Sequence, residues 1–200
     1  MVKKEEKIVP VCDLCGNKDC VNGKDCFDSA QANQAAYSGD NLILARAASE
    51  IEGRYYMRKT RLEEVILFSK QMNYKKLGIA FCIGLAEEAK LLAKFLRLEF
   101  EVMSVCCKNA GIKKDTLDLV KIDNEGDEVM CNPIGQADIL NRAGTDLNLI
   151  CGLCIGHDIQ FTKYSQAPVS TFIVKDRVLA HNPAGSFYCR YLRKRFPGQV

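Results

Sequence analysis

Hydrophobic residues follow two different patterns along the chain, and the change falls near residue 77. Between residues 28 and 75 they recur at spacings near three and four, which predicts one helix or two helices broken near Gly53. From residue 77 onward, short apolar runs alternate with amphipathic stretches, which predicts strands alternating with helices. Residues 8–27 hold four cysteines among small and polar residues, which predicts a loop with little to pack.

The second pattern predicts a parallel sheet. Strands are expected at 77–81, 99–105, 147–153 and 169–174, and helices at 86–98, 133–142, 157–164 and 184–195, with residues 175–176 turning the chain into a short apolar run at 178–180. Such alternation favours parallel pairing through right-handed crossovers. We therefore expect an α/β fold, a Rossmann-like parallel sheet with helices on both faces, preceded by a four-cysteine loop and a helical segment. The expected division is 1–27 for a cysteine-rich metal-binding loop, 28–76 for the helical segment and 77–200 for an α/β domain with a second cysteine site.

Composition and charge indicate which class of protein the chain belongs to. The 200 residues are 48% hydrophobic and 26% charged, which suits a globular protein that buries a core without disulfides. No apolar run approaches the ~20 residues of a membrane span, and the charged start of the chain lacks the apolar core of a signal peptide, so we expect a cytoplasmic protein without a membrane partner. The net charge of +3 argues against nucleic acid as a partner. Basic residues at 54–61 and 190–195 are expected on solvated helix faces.

Eleven cysteines in a cytoplasmic chain indicate metal ligation first and catalysis second, because thiols stay reduced in that compartment. The first group has the spacing C-x2-C-x4-C-x5-C and consists of Cys12, Cys15, Cys20 and Cys26. Four thiolates at this spacing suit one tetrahedral zinc ion or one iron–sulfur cluster. The spacing is close to that of an RNA-binding zinc knuckle, but no aromatic residue lies between the first and last cysteine to stack on a base.

The second group consists of cysteines that are distant in sequence but follow or precede predicted strand ends: Cys82, Cys106, Cys107, Cys131 and Cys154. Carboxyl ends of parallel strands meet at one edge, where open α/β sheets bind ligands, so we expect these thiols to form a common metal or redox site. His157 could join them, or could act with Asp158 as a helix cap. Cys151 is expected in the core and Cys189 is expected to be packed in the last helix.

Several stretches make the chain resemble an uncharacterised prokaryotic family, a domain of unknown function whose members are predicted to bind metal and come mostly from anaerobes. These stretches are residues 78–90, 105–108, 130–148 and 152–183, together with the N-terminal cysteine run. The resemblance implies motif positions at the five cysteines of the second group and at His157, and leaves out Cys151. It implies no reaction.

Three functions remain open after these observations. The leading hypothesis is a metal-binding protein that carries iron–sulfur clusters, 4Fe–4S in preference to 2Fe–2S, in a redox or electron-transfer role with a redox partner protein. The second is a zinc-binding regulatory or interaction module. The third is a cysteine enzyme with Cys154 or Cys107 as nucleophile and His157 as base. The sequence contains no glycine-rich phosphate loop and assigns no substrate.

Overall fold

A computed structural model of the chain describes residues 9–196, within which a four-stranded parallel sheet is surrounded by helices. The strands are β1 (Lys76–Phe81), β2 (Glu101–Cys106), β3 (Leu147–Cys151) and β4 (Val169–Ile173). The helices are α1 (Ala30–Ala36), α2 (Gly39–Tyr55), α3 (Arg61–Gln71), α4 (Ala86–Leu96), α5 (Pro133–Ala143), α6 (His157–Tyr164), α7 (Gly185–Tyr188) and α8 (Arg190–Arg193). The predicted α/β class is therefore confirmed.

The strand order is β2-β1-β3-β4, so the crossover direction reverses after β2 and the switch point lies between β1 and β3. Helix α4 connects β1 to β2, whereas α5 and α6 make the returning connections and contact each other. Right-handed crossovers in opposite directions place these connections on opposite faces of the sheet. All five residues of β3 are buried, as a central parallel strand covered on both faces requires.

Close packing at the centre of the sheet depends on Gly78 in β1. A Cβ atom there would lie 2.0 Å from the Oδ1 atom of Asn148. The buried Asn148 side chain accepts a hydrogen bond from Thr145 and donates one to Ser165, both at 2.8 Å. These bonds satisfy a polar group inside the sheet and fix the amino end of β3.

Five features differ from the sequence-based expectation. The helical segment breaks at residues 56–60 rather than at Gly53, because Thr60 and Glu63 form a capping box that starts α3. The predicted last helix is interrupted at Cys189, whose ψ of 110° is extended. Residues 178–180 form turns and not a strand, and β3 ends at Cys151 instead of residue 153. The predicted β4 likewise ends one residue early, at Ile173.

The helices of residues 9–196 are too short or too polar to cross a membrane. The sequence-based expectations about residues 1–8 and 197–200 lie outside the described residues.

Candidate thiol site

Three thiols meet at the carboxyl edge of the sheet, where the topology reverses. Cys82 follows β1, Cys107 follows β2, and Cys131 lies just before α5. Cys107 shifts the pKa of both other thiols, which places its side chain close to them. Cys82 and Cys107 are buried, at 7% and 1% exposure, whereas Cys131 is half-buried. We call these three residues the thiol triad.

Backbone hydrogen bonds place the triad as continuations of the strands. The Cys82 amide donates to the carbonyl of Cys151 at 3.3 Å, and the Cys107 amide donates to the carbonyl of Phe81 at 2.9 Å. The Ile83 amide donates to the Cys107 sulfur at 3.3 Å. The first two sulfurs therefore sit where two neighbouring strands end, which the parallel register dictates.

A pair of asparagines fixes the third thiol against the second. The Asn132 amide donates to the Cys107 carbonyl at 2.7 Å, and its side-chain amide donates to the Asn109 side-chain oxygen at 3.0 Å. Asn109 in turn donates to the carbonyls of Cys106 and Asn132 at 3.0 and 2.9 Å. Asn132 also caps α5 through the Gly135 amide at 2.9 Å. The asparagines therefore join the loop after β2 to the residue that follows Cys131.

The Gln136 side chain, on α5, links the carboxyl ends of β1 and β2 beside the triad. Its side-chain nitrogen donates to the carbonyls of Phe81 at 3.1 Å and Val105 at 2.6 Å. The side chain is fully buried, and its Oε1 atom has no hydrogen-bond partner among the described residues. An unpaired buried acceptor costs about 1–3 kcal/mol.

Two cations from the segment after β4 reach the edge thiols. The Lys175 ammonium lies 3.4 Å from the sulfur of Cys82. The Arg177 guanidinium donates to the sulfur of Cys154 at 3.0 Å. None of the ion pairs among residues 9–196 joins either cation to a carboxylate. The sulfurs of Cys82 and Cys154 are therefore the polar partners of Lys175 and Arg177.

The three thiols of the triad differ in pKa and therefore in protonation. The pKa of Cys82 is lowered because Cys107 donates a hydrogen bond to it, with further help from the Gly84 amide and Lys175. The pKa of Cys131 is also lowered, again chiefly by Cys107, and then by the nearby Lys108 and His157. The pKa of Cys107 is raised, first by the neighbouring Cys131, then by Cys82 and by burial. Cys107 therefore holds its proton while Cys82 is the most favoured thiolate.

The other predicted members of this site have different positions. Cys154 is half-buried and lies beyond the end of β3, as expected. His157 begins α6 and lies near Cys131. Cys106 is half-buried and packs against the core. Cys151 is fully buried, and burial raises its pKa to about 11, which confirms its predicted place in the core.

All four thiols of the N-terminal group are exposed. Their backbone forms two 3-10 turns, Cys12–Leu14 and Asp19–Asn22. The thiols of Cys20 and Cys26 donate to carbonyls two residues earlier, at 3.7 and 3.8 Å. These bonds lie within the loop itself. Among residues 9–196, neither this group nor the thiol triad has three side chains already arranged to hold a metal ion.

A cavity of about 560 Å³ lies at the other end of the sheet, between α2, α3 and the amino ends of β3 and β4. Residues such as Ile51, Val65, Phe68 and Leu147 line it, and the lining includes no cysteine or histidine. Size alone would make it a candidate ligand pocket. We assign the chemistry to the carboxyl edge instead, because the perturbed thiols lie there.

Residues 21–172 match the family described as protein of unknown function (DUF1847). The chain belongs to this family. A protein of Methanocaldococcus jannaschii, named Uncharacterized protein MJ0455, is 59% identical over 186 residues, which are 92% of this chain and 96% of that protein. No solved structure is significantly similar to the chain. The resemblance to a family of unknown function is thereby confirmed, and the metal binding it implied stays a prediction.

The DUF1847 match covers only part of the residues that surround the candidate site. It includes the triad, Cys154 and His157, but three N-terminal cysteines and the cations Lys175 and Arg177 lie outside it. Sequence reasoning missed both cations, as well as Asn109 and Gln136. The cations could have been found, because they follow the fourth strand and so lie at the same sheet edge. The two amides gave no such signal, since their role depends on contacts across the fold.

Proposed function

We propose that this protein binds metal through cysteine thiolates at the carboxyl edge of its sheet, and that it carries an iron–sulfur cluster there in a redox or electron-transfer role. The observation that supports this most is the position of Lys175 and Arg177 on the sulfurs of Cys82 and Cys154, beside the two further thiols of the triad, Cys107 and Cys131. Cys154, held by Arg177, would be the fourth ligand. Thiolates are the ligands that iron–sulfur clusters require.

Charge balance also favours a thiolate-bound metal. Four thiolates around a 4Fe–4S core, or around zinc, carry a net charge of about −2. Lys175 and Arg177 offset that charge at distances of 3.4 and 3.0 Å from two of the sulfurs. Without metal, Cys107 keeps its proton because its pKa is raised. Metal would displace that proton, since thiol ligands bind as thiolates.

The N-terminal group would hold a second metal by itself. Its four cysteines have a compact spacing, and all four are exposed. Zinc in a regulatory or interaction module is the alternative at both places, because zinc accepts the same four thiolates.

A cysteine nucleophile is the second candidate function, and the protonation of the triad favours Cys82 for it. The lowered pKa of Cys82 supplies a thiolate, whereas the raised pKa of Cys107 argues against the nucleophile suggested by the sequence. Cys82 is only 7% exposed, however, which suits a metal ligand better than a group that must meet a substrate.

Anaerobic purification followed by iron, sulfide and zinc analysis tests the proposal. We expect iron and sulfide with the absorbance of a cluster, and their loss at the edge site in Cys107→Ser. Cys189→Ser, a half-buried cysteine between α7 and α8, is the matched control and should keep the metal. A metal-free wild-type protein would overturn the proposal, and zinc without iron would favour the alternative.

A further inference from the structure

The last part of the chain is a strongly basic segment without a counter-charge. From residue 177 to the C-terminus there are five lysines and arginines and no aspartate or glutamate. Four of these cations, Arg190, Arg193, Lys194 and Arg195, are exposed. None of the ion pairs in residues 9–196 includes them. The small net charge of the whole chain does not reveal this local excess of positive charge, because acidic residues elsewhere in the chain offset it.

Exposed aromatic side chains lie among the same cations. Phe187 and Tyr188 are 72% and 85% exposed, and Tyr191 and Phe196 are 82% and 56% exposed. Aromatic residues normally bury a large apolar area, so four exposed rings within ten residues call for a partner. We call residues 184–196 the basic aromatic arm.

We propose that the basic aromatic arm binds single-stranded nucleic acid. Proteins that bind single strands combine cations, which neutralise phosphates, with aromatic rings on which bases stack. The arm supplies both in alternation: Tyr188 and Tyr191 flank Arg190, and three further cations follow. This assignment is independent of metal binding at the thiol site.

The geometry favours a nucleic acid over the other anionic partners. A membrane-surface helix needs one continuous apolar face, but the arm consists of two four-residue helices, α7 and α8, separated at Cys189. An acidic protein would use the cations but would not need four open rings. Stacking on bases uses the rings and the cations together.

Fluorescence anisotropy of a labelled oligouridylate of about 16 nucleotides, titrated with the full chain at several salt concentrations, tests the proposal. Four phosphate contacts predict a log–log salt slope of about −3, since each contact contributes about −0.7. Changing Arg190, Arg193, Lys194 and Arg195 together to Gln should bring the slope close to zero. Arg142→Gln, whose guanidinium pairs with Asp138 at 2.9 Å on α5, is the matched control and should bind as the wild type does.

The double variant Tyr188→Ala with Tyr191→Ala separates stacking from simple charge attraction. We expect affinity to fall at least about thirtyfold with an unchanged salt slope, since each of the two stacked bases contributes about 1–3 kcal/mol. Circular dichroism would show that the variants stay folded. Equal affinity of the tyrosine variant, no binding of RNA by the folded wild type, or tighter binding to polyglutamate or to phosphatidylserine vesicles would each overturn the proposal.

Discussion

The Arg177 guanidinium lies 3.0 Å from the sulfur of Cys154, and this contact joins the segment after β4 to the thiol that follows β3. Hydrogen bonding to that sulfur raises the pKa of Arg177. Lys175, two residues before Arg177, makes the equivalent contact with the sulfur of Cys82. One short segment therefore supplies a counter-charge to two thiols that follow the strands on either side of the switch point.

The thiolate of Cys82 should persist well below the ordinary thiol pKa in the metal-free protein. A lowered pKa means that the thiolate is present at lower pH and is lost only as the pH falls through that lowered value. Cys107→Ala should raise the pKa of Cys82 more than Lys175→Met does, because the Cys107 hydrogen bond is the larger cause. Thiolate ultraviolet absorbance against pH, with Cys82→Ser as the blank, measures this. An unchanged midpoint in both variants would contradict it.

Cys151 and Cys154 should respond oppositely to removal of their sulfurs. Cys151→Ala leaves a small cavity in a fully buried strand and should cost on the order of 1 kcal/mol of unfolding free energy while the metal stays bound. Cys154→Ala removes a proposed ligand and should lower the metal-to-protein ratio while the fold persists. The two variants are compared side by side, without oxygen, by metal analysis and denaturant unfolding. Loss of metal in Cys151→Ala alone would mean that the ligand assignment is wrong.

Asn109→Ala should weaken the site without removing a thiol. It leaves the Cys106 and Asn132 carbonyls and the Asn132 side-chain amide without their partner. We expect a loss of about 1–3 kcal/mol in unfolding free energy and a lower affinity for metal, because Cys131 is no longer fixed against Cys107. Asn33→Ala, on exposed α1, is the control for metal affinity. Unchanged affinity in Asn109→Ala would show that the asparagine pair does not position the thiols.

Asp146→Asn should change stability and not metal content. Asp146 accepts hydrogen bonds from the amides of Lys75 and Lys76 at 2.7 and 2.8 Å, at the amino end of the sheet. Weakening these charge-assisted bonds should cost about 1 kcal/mol. Thermal unfolding and metal analysis of the same preparation check both parts. A fall in metal would link the amino end of the sheet to the thiol site, contrary to the fold.

Removal of residues 1–27 should leave a folded α/β domain that still binds metal at the carboxyl edge. The cysteines of that segment are exposed, and the core cluster contains none of residues 9–27. The measurement is the metal-to-protein ratio of the truncated and full-length chains. If truncation removes all metal, the two cysteine groups form one shared site.

The order of hydrophobic and polar positions was enough to determine the α/β class, the four parallel strands and the edge at which the cysteines gather. Short buried strands and amphipathic helices have distinct periods, and parallel strands bring their carboxyl ends together wherever they pair. The same reasoning separated Cys151, inside β3, from Cys154, beyond it. It also placed Asp146 at the opposite end from the thiols.

Only the tertiary structure decided which neighbours of that edge meet. Cys106 and Cys107 are adjacent and chemically identical in sequence, yet Cys107 is buried within the triad whereas Cys106 is half-buried and outside it, because successive side chains at a strand end point in different directions. The roles of Lys175 and Arg177 depend on how the segment after β4 folds back over the edge. Sequence periodicity carries no information about such contacts, since they join residues separated by up to 93 positions and arise from packing.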